Sequence, residues 1–298
     1  MTPQEYCRQQ AAQSGSSFYY SFLFLPPAQR DAITALYAFC RAVDDVVDNA
    51  TDPGVAATKL SWWRGEVDRM AGLDSNILPS HPIAIALQAP AAQFGIKAVE
   101  LKEIIAGMEM DLHQRSYVDD EALSVYCWRV AGVVGVLSAR IFANGSDHLR
   151  DYASHMGQAL QRINIIRDVG EDAQRGRVYV PVSLLSQHGL SVQYILDGVA
   201  KTSKNKGFQA VMADSAELAR QHLALALKSL PAADIRAQRA GLIMARVYAS
   251  LLLEIERSQY PVLSQRVSLT PLRKFSLAWR TWVAPQRAVA HLHALAAG

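Results

Sequence analysis

Ile33, Leu36, Cys40, Val43 and Val47 follow one another at steps of three, four, three and four. That is the period of an α-helix with one buried face, and it leaves a strand, whose side chains alternate in twos, no register to occupy. Pro26 and Pro27 precede the stretch, where proline suits a first helical turn, and Asp52, Pro53 and Gly54 end it. The same period recurs over residues 55–71, 83–94, 99–113, 121–142, 147–172, 214–230, 235–259 and 271–283, with no convincing strand pattern between them. The spacing predicts an all-α chain.

Half of the 298 residues are hydrophobic, enough for a large core. No Pro/Gly/Ser-rich linker, charge run or fixed-period repeat divides the chain, so residues 1–298 read as a single domain. The formal charge is only +3, without a concentrated basic stripe, so no nucleic acid partner is expected. Cys7, Cys40 and Cys127 are an odd, scattered trio that fits packing in a reducing cytosol, not a disulfide framework. The opening residues 1–10 are polar and lack a signal pattern, so export is not expected and a cytoplasmic location is. The most apolar window, 130–138, lies between Arg129 and Arg140 and is about half of the ~20 residues a spanning helix needs, so no membrane crossing is expected.

Asp44 and Asp48 stand four residues apart on one helix face, with Asp45 at the flank and Tyr37 and Arg41 extending the stripe. A second ribbon is formed by Gln161, Asn164, Asp168 and Asp172, at steps of three, four and four, among Ile163, Ile165, Ile166 and Val169. Carboxylates and amides flanked by core residues point to an internal cavity, where unpartnered acids would be costly. Hard cations satisfy such ribbons, and Mg2+ in particular is held by a few carboxylates while substrate phosphates and water complete its octahedron. Arg41, Arg167, Arg175 and Arg177 are suited to the remaining phosphate oxygens. One D-x-x-x-D alone reads as a solvated helix face. Two of them in apolar helices, the second in register with Asn164, read as a diphosphate clamp, against a purely structural ion pair between the helices. The polar break 173–181 directly after the second cluster fits either a flap over a ligand or an ordinary surface loop. The chain has no G-x-x-x-x-G-K-[ST], H-E-x-x-H or G-x-S-x-G, no G-x-G-x-x-G after a strand, and its eight histidines are scattered.

"QRINIIRDVGEDAQRGRVYVP" (161–181), "ALYAFCRAVDDVVD" (35–48), "GMEMDL" (107–112) and "YCWRVAGVVG" (126–135) resemble, in order and over nearly the whole chain, the squalene and phytoene synthase family, which joins two prenyl diphosphates head to head. The resemblance implies an isoprenoid synthase type helical bundle with a central active-site cavity. It implies metal ligation by Asp44, Asp48, Asn164, Asp168 and Asp172, with Asp45 beside them. Substrate contacts are implied for Ser16, Ser17, Phe18, Tyr37, Arg41, Gln161, Arg167, Tyr179, Tyr248 and Arg266, with Arg177 among the cations suited to the phosphate; catalysis is expected from Arg41 and the four aspartates, with the released diphosphate, then Tyr126 and Tyr248, as candidates to take the proton. "GSSFYYSFLFLPP" (15–27) and the "VDDVVD" form most resemble the presqualene diphosphate synthases of bacterial hopanoid pathways; Trp128, where many relatives have Tyr, and Gly15, where several have a polar residue, depart from the pattern.

That likeness implies condensation of two farnesyl diphosphates to presqualene diphosphate with several Mg2+ ions and without NADPH, upstream of squalene-forming enzymes. Phe18, Tyr19, Phe22, Phe24, Tyr37 and Phe39 are candidates to line an apolar tunnel around an allylic cation. Squalene formation with NADPH, phytoene or dehydrosqualene formation, and a non-catalytic helical assembly factor are the alternatives. Residues 271–283, "PLRKFSLAWRTWV", suit either an amphipathic helix on the inner face of the cell membrane or a terminal helix packed on the core.

Overall fold

A computed structural model describes residues 1–13, 21–22, 24–74, 77–198 and 205–297. In chain order the helices are α1 (Pro3–Gln13), α2 (Pro27–Asp48), α3 (Pro53–Met70), α4 (Pro82–Phe94), α5 (Ala98–His113), α6 (Asp120–Cys127), α7 (Val133–Phe142), α8 (Arg150–Gln174), α9 (Val182–Gln187), α10 (Val192–Leu196), α11 (Lys206–Lys228), α12 (Arg239–Arg257), α13 (Pro271–Val283) and α14 (Pro285–Ala296). Proline opens six of them, where its fixed φ fits and its missing N–H leaves no bond unmade. Asp52, read from sequence as part of a helix end, starts the next helix: its carboxylate accepts from the amides of Gly54 at 2.6 Å and Val55 at 3.1 Å.

The all-α expectation holds, with no strand among the described residues and one isolated bridge between Ser116 and Val178. α1 and α14 were not expected from the sequence, because the first is polar and half of the second is alanine and histidine, and each buries only two or three side chains. α11 begins eight residues before the expected position 214: Asn205 caps it, and Phe208, Val211 and Met212 are buried from its first turns. The long helix expected over 121–142 contains a π turn, Trp128–Gly132, between α6 and α7. Such single π turns occur often at functional sites.

One core gathers α1 to α5 with α7, and a second gathers the C-terminal half of α8 with α9 to α12. α8, the longest helix, joins them. Gly157 of α8 lies where any Cβ would collide with the Ala131 carbonyl, and Gly135 of α7 lies likewise against Ala153. Both glycines let the two backbones approach almost to contact, which fixes α8 beside the π turn.

By length and composition the continuous helical stretch 120–142 could cross a membrane. It is integrated into the bundle: Arg162 of α8 pairs with Asp120 at its start, and near its end buried Arg140 pairs with Glu100 at 2.6 Å and Asp147 at 2.7 Å. The break over 173–181 is not a free flap. The Val178 amide donates to the Arg115 carbonyl and that of Val182 to the Tyr117 carbonyl, both at 2.8 Å, and Arg177 to Pro181 are buried. Only Gln174 to Gly176 stay exposed.

Candidate active site

α2 and α8 bring their polar stripes to one cavity of about 490 Å³. Tyr37, Arg41, Asp44 and Asp48 line it from α2, and Gln161, Asn164, Arg167, Asp168 and Asp172 from α8. Arg175, Arg177, Tyr179 and Arg266 close its sides, and Tyr126 and Asp111 form its inner wall. Helical spacing thus does what the sequence suggested: carboxylates three and four residues apart on facing helices converge on one space.

Burial and mutual repulsion act on these acids together. The Asp44 carboxyl is pushed up to about 7, first by burial and then by Asp48, while Arg41 draws it back. Asp172 is likewise pushed up to about 7 by burial and then by Asp168. Arginine answers part of the charge. Arg41 contacts Asp44 at 3.0 Å and Asp45 at 2.6 Å; Arg175 and Arg177 hold Asp48 at 3.0 and 2.9 Å. Asp168 receives Arg167 Nε at 2.7 Å and Arg266 Nε at 3.1 Å. Asp45 lies beside the cavity and does not line it, being turned to Arg41.

Among the described residues no three His, Cys, Asp or Glu side chains are already gathered around one metal position. The carboxylates and amides of the two ribbons nonetheless offer oxygen donors to the cavity, and the buried Oδ1 of Asn164 has no hydrogen-bond partner, so the set fits a hard cation whose coordination a phosphate ligand completes.

Behind Asn164 the polar cavity continues into an apolar one of about 240 Å³, sharing Tyr37, Cys40, Val130, Gln161 and Asn164 with it. Phe22, Leu36, Val134, Met156, Leu160 and Met244 are among its walls, and Tyr248 reaches it from α12. Of the aromatic tunnel candidates, Phe22 and Tyr37 line this space. Phe39 does not: it is buried in the first core against Trp63. Phe24 packs instead on Trp279 and Trp282. Ser16, Ser17, Phe18 and Tyr19 lie outside the described residues.

Asp111, in the "GMEMDL" segment but not singled out from sequence, is a buried member of the site. It accepts the hydroxyls of Tyr179 at 2.6 Å and Tyr126 at 3.0 Å, and burial raises its carboxyl above the ordinary range. Burial and this neighbouring carboxylate also hold the Tyr126 phenol far above its usual pKa, so it stays protonated. The acid escaped notice because both its partners are distant in the chain, leaving no helical spacing to read.

A family model for squalene/phytoene synthases matches residues 11–273. The chain belongs to the squalene/phytoene synthase family. Members of this family are prenyltransferases that act head to head on prenyl diphosphates, and this chain is accordingly an enzyme of that kind. It is 36% identical over 244 residues to a presqualene diphosphate synthase of Rhodopseudomonas palustris, covering 82% of this chain and 84% of that one. It is 31% identical over 286 residues to a phytoene synthase of Arthrospira platensis, covering 91% and 89%. Among solved structures, squalene synthase HpnC from Alicyclobacillus acidocaldarius superposes with a TM-score of 0.75 at 26% identity, covering 87% of this chain and 94% of that one. A dehydrosqualene synthase shares the fold with a TM-score of 0.82 at 21% identity, covering 96% and 97%.

Proposed function

We propose that this synthase joins two farnesyl diphosphates to presqualene diphosphate, releasing diphosphate. The observation that carries this reading is the continuity of an acid- and arginine-lined mouth with an apolar cavity through Tyr37, Gln161 and Asn164. A substrate with a charged head and a long hydrocarbon tail fits that pairing, and the presqualene diphosphate synthase relative favours this product.

Asp44, Asp48, Asn164, Asp168 and Asp172 would hold Mg2+, which when bound neutralises charge building on the leaving diphosphate. Arg41, Arg167, Arg175, Arg177 and Arg266, now turned to carboxylates, would take the free phosphate oxygens, favouring scission of the C1–O bond of one farnesyl group. The walls around Phe22 and Tyr37 exclude water, which would otherwise quench the allylic cation. The double bond of the second farnesyl group attacks that cation, and loss of a proton closes the cyclopropane. Because Tyr126 is held as a neutral phenol, the released diphosphate is the better proton acceptor.

Phytoene-type condensation of longer prenyl chains is the second reading, favoured by the phytoene synthase relative of comparable identity and greater coverage. Incubation with farnesyl or geranylgeranyl diphosphate and Mg2+, with and without NADPH, followed by mass spectrometry, separates the two. Presqualene diphosphate from the farnesyl substrate without NADPH is expected. Squalene appearing with NADPH, or turnover of the longer substrate alone, would replace this product assignment.

A further inference from the structure

α13 meets the second core along one narrow face, through Leu277. The residues it buries are Ala278 and Thr281, whereas Leu272, Phe275, Trp279 and Val283 are 84%, 50%, 52% and 62% exposed. These four stand at steps of three, four and four, so they form one stripe along the helix. Scattered exposed apolar residues need no explanation, but a continuous stripe with an aromatic at its centre does.

Charge narrows what can cover it. From residue 258 to 298 the chain contains no Asp or Glu and five Lys or Arg, three of them on α13 itself. Arg273 is paired with Glu254 at 2.7 Å and half-buried Lys274 lies on the inner face one turn before Ala278, leaving exposed Arg280 on this helix and exposed Arg287 at the start of the next. Trp282 borders the stripe, with the Arg239 guanidinium 4.5 Å from its ring centre. An exposed apolar ridge bearing tryptophan, bordered by Arg280 and Arg287 on a stretch with no acids of its own, matches the boundary of an anionic bilayer, where tryptophan settles among headgroups and cations meet phosphate. A second copy of the chain would set like charges against each other across this face.

The position of α13 agrees. Trp279 and Trp282 pack on Phe24, just after Phe22 of the apolar cavity wall, and Lys274 is within electrostatic reach of Arg167 and Arg266 at the polar mouth. We infer that α13 lies in the surface of an anionic lipid bilayer, which brings the polar mouth of the cavity near the membrane. The inference concerns attachment and stands whichever prenyl product is formed.

The test uses the full chain and sucrose-loaded vesicles of equal parts phosphatidylglycerol and phosphatidylcholine, with pure phosphatidylcholine vesicles as the uncharged comparison. The protein should sediment with the anionic vesicles, and less so at high salt or on the uncharged ones. The double substitution Leu272→Ser and Phe275→Ser should lower the partition coefficient by at least roughly ten-fold. Its melting temperature and its turnover of prenyl diphosphate without vesicles should be unchanged, since both side chains are exposed. Absence of the parent protein from anionic pellets, or equal sedimentation of the variant, would overturn the proposal. So would a dimer in lipid-free analytical ultracentrifugation that the variant abolishes, because the stripe would then belong to a second copy of the chain.

Discussion

The carboxylate of Asp111 accepts two tyrosine hydroxyls from residues far apart in sequence, in a setting that burial keeps from water. Removing it strands both donors. Asp111→Ala should therefore destabilise the protein by about 2–4 kcal/mol, while Asp111→Asn, which keeps one acceptor oxygen, should cost about half as much. Urea unfolding of the three proteins measures this, and equal costs for the two substitutions would show that the hydroxyls find other partners. Tyr152 is the contrary case. Its hydroxyl is buried in the apolar cavity wall and makes no hydrogen bond, so Tyr152→Phe should leave stability unchanged or raise it by up to about 1 kcal/mol. A clear loss of stability in the same assay would mean that the hydroxyl is satisfied after all.

Between helices, the close contact of α8 with the π turn depends on an absent side chain. Gly157→Ala would drive a methyl group into the Ala131 carbonyl, and about 1–3 kcal/mol of stability should be lost as the helices separate. Thermal unfolding of the variant reads that loss directly. α8 also meets α11 through His155 and His222, whose Nδ1 atoms are 3.3 Å apart. Burial and nearby Arg162 depress His222 to about 4 from the ordinary 6.5. The folded state thus binds fewer protons than the unfolded chain between those values, and stability must fall as pH drops through that window. His222 is partly solvated, so the loss should be about 1 kcal/mol and no more. His222→Gln should remove this part of the pH slope between pH 6.5 and 4, and an unchanged slope would assign it to other groups.

The two acidic ribbons were legible in the sequence because their signal is local: residues three and four apart must share a helix face whatever the tertiary structure does. The same local logic located the long helices α2 and α8 and excluded strands. It failed where structure is made at a distance. α1 and α14 are held by tertiary contacts, with little periodic signal of their own. Phe39 has the composition of a tunnel wall, yet which of two apolar surroundings it joins depends on how α2 is rotated against Trp63. The segment after α8 reads from sequence as either a flap or a surface loop because its burial comes from backbone bonds to residues 115 and 117, which carry no side-chain signature.

Across the molecule, the proposed function requires that α2 and α8 act on one diphosphate between them. The most direct measurement is the rate of diphosphate release from farnesyl diphosphate by the parent enzyme, Asp44→Asn, Asp168→Asn and the double variant. If both aspartates serve one leaving group, each single substitution should slow release by at least about a hundred-fold, and the double should lose far less than the product of the two. Losses that multiply, or a single variant that works at the parent rate, would contradict a shared clamp.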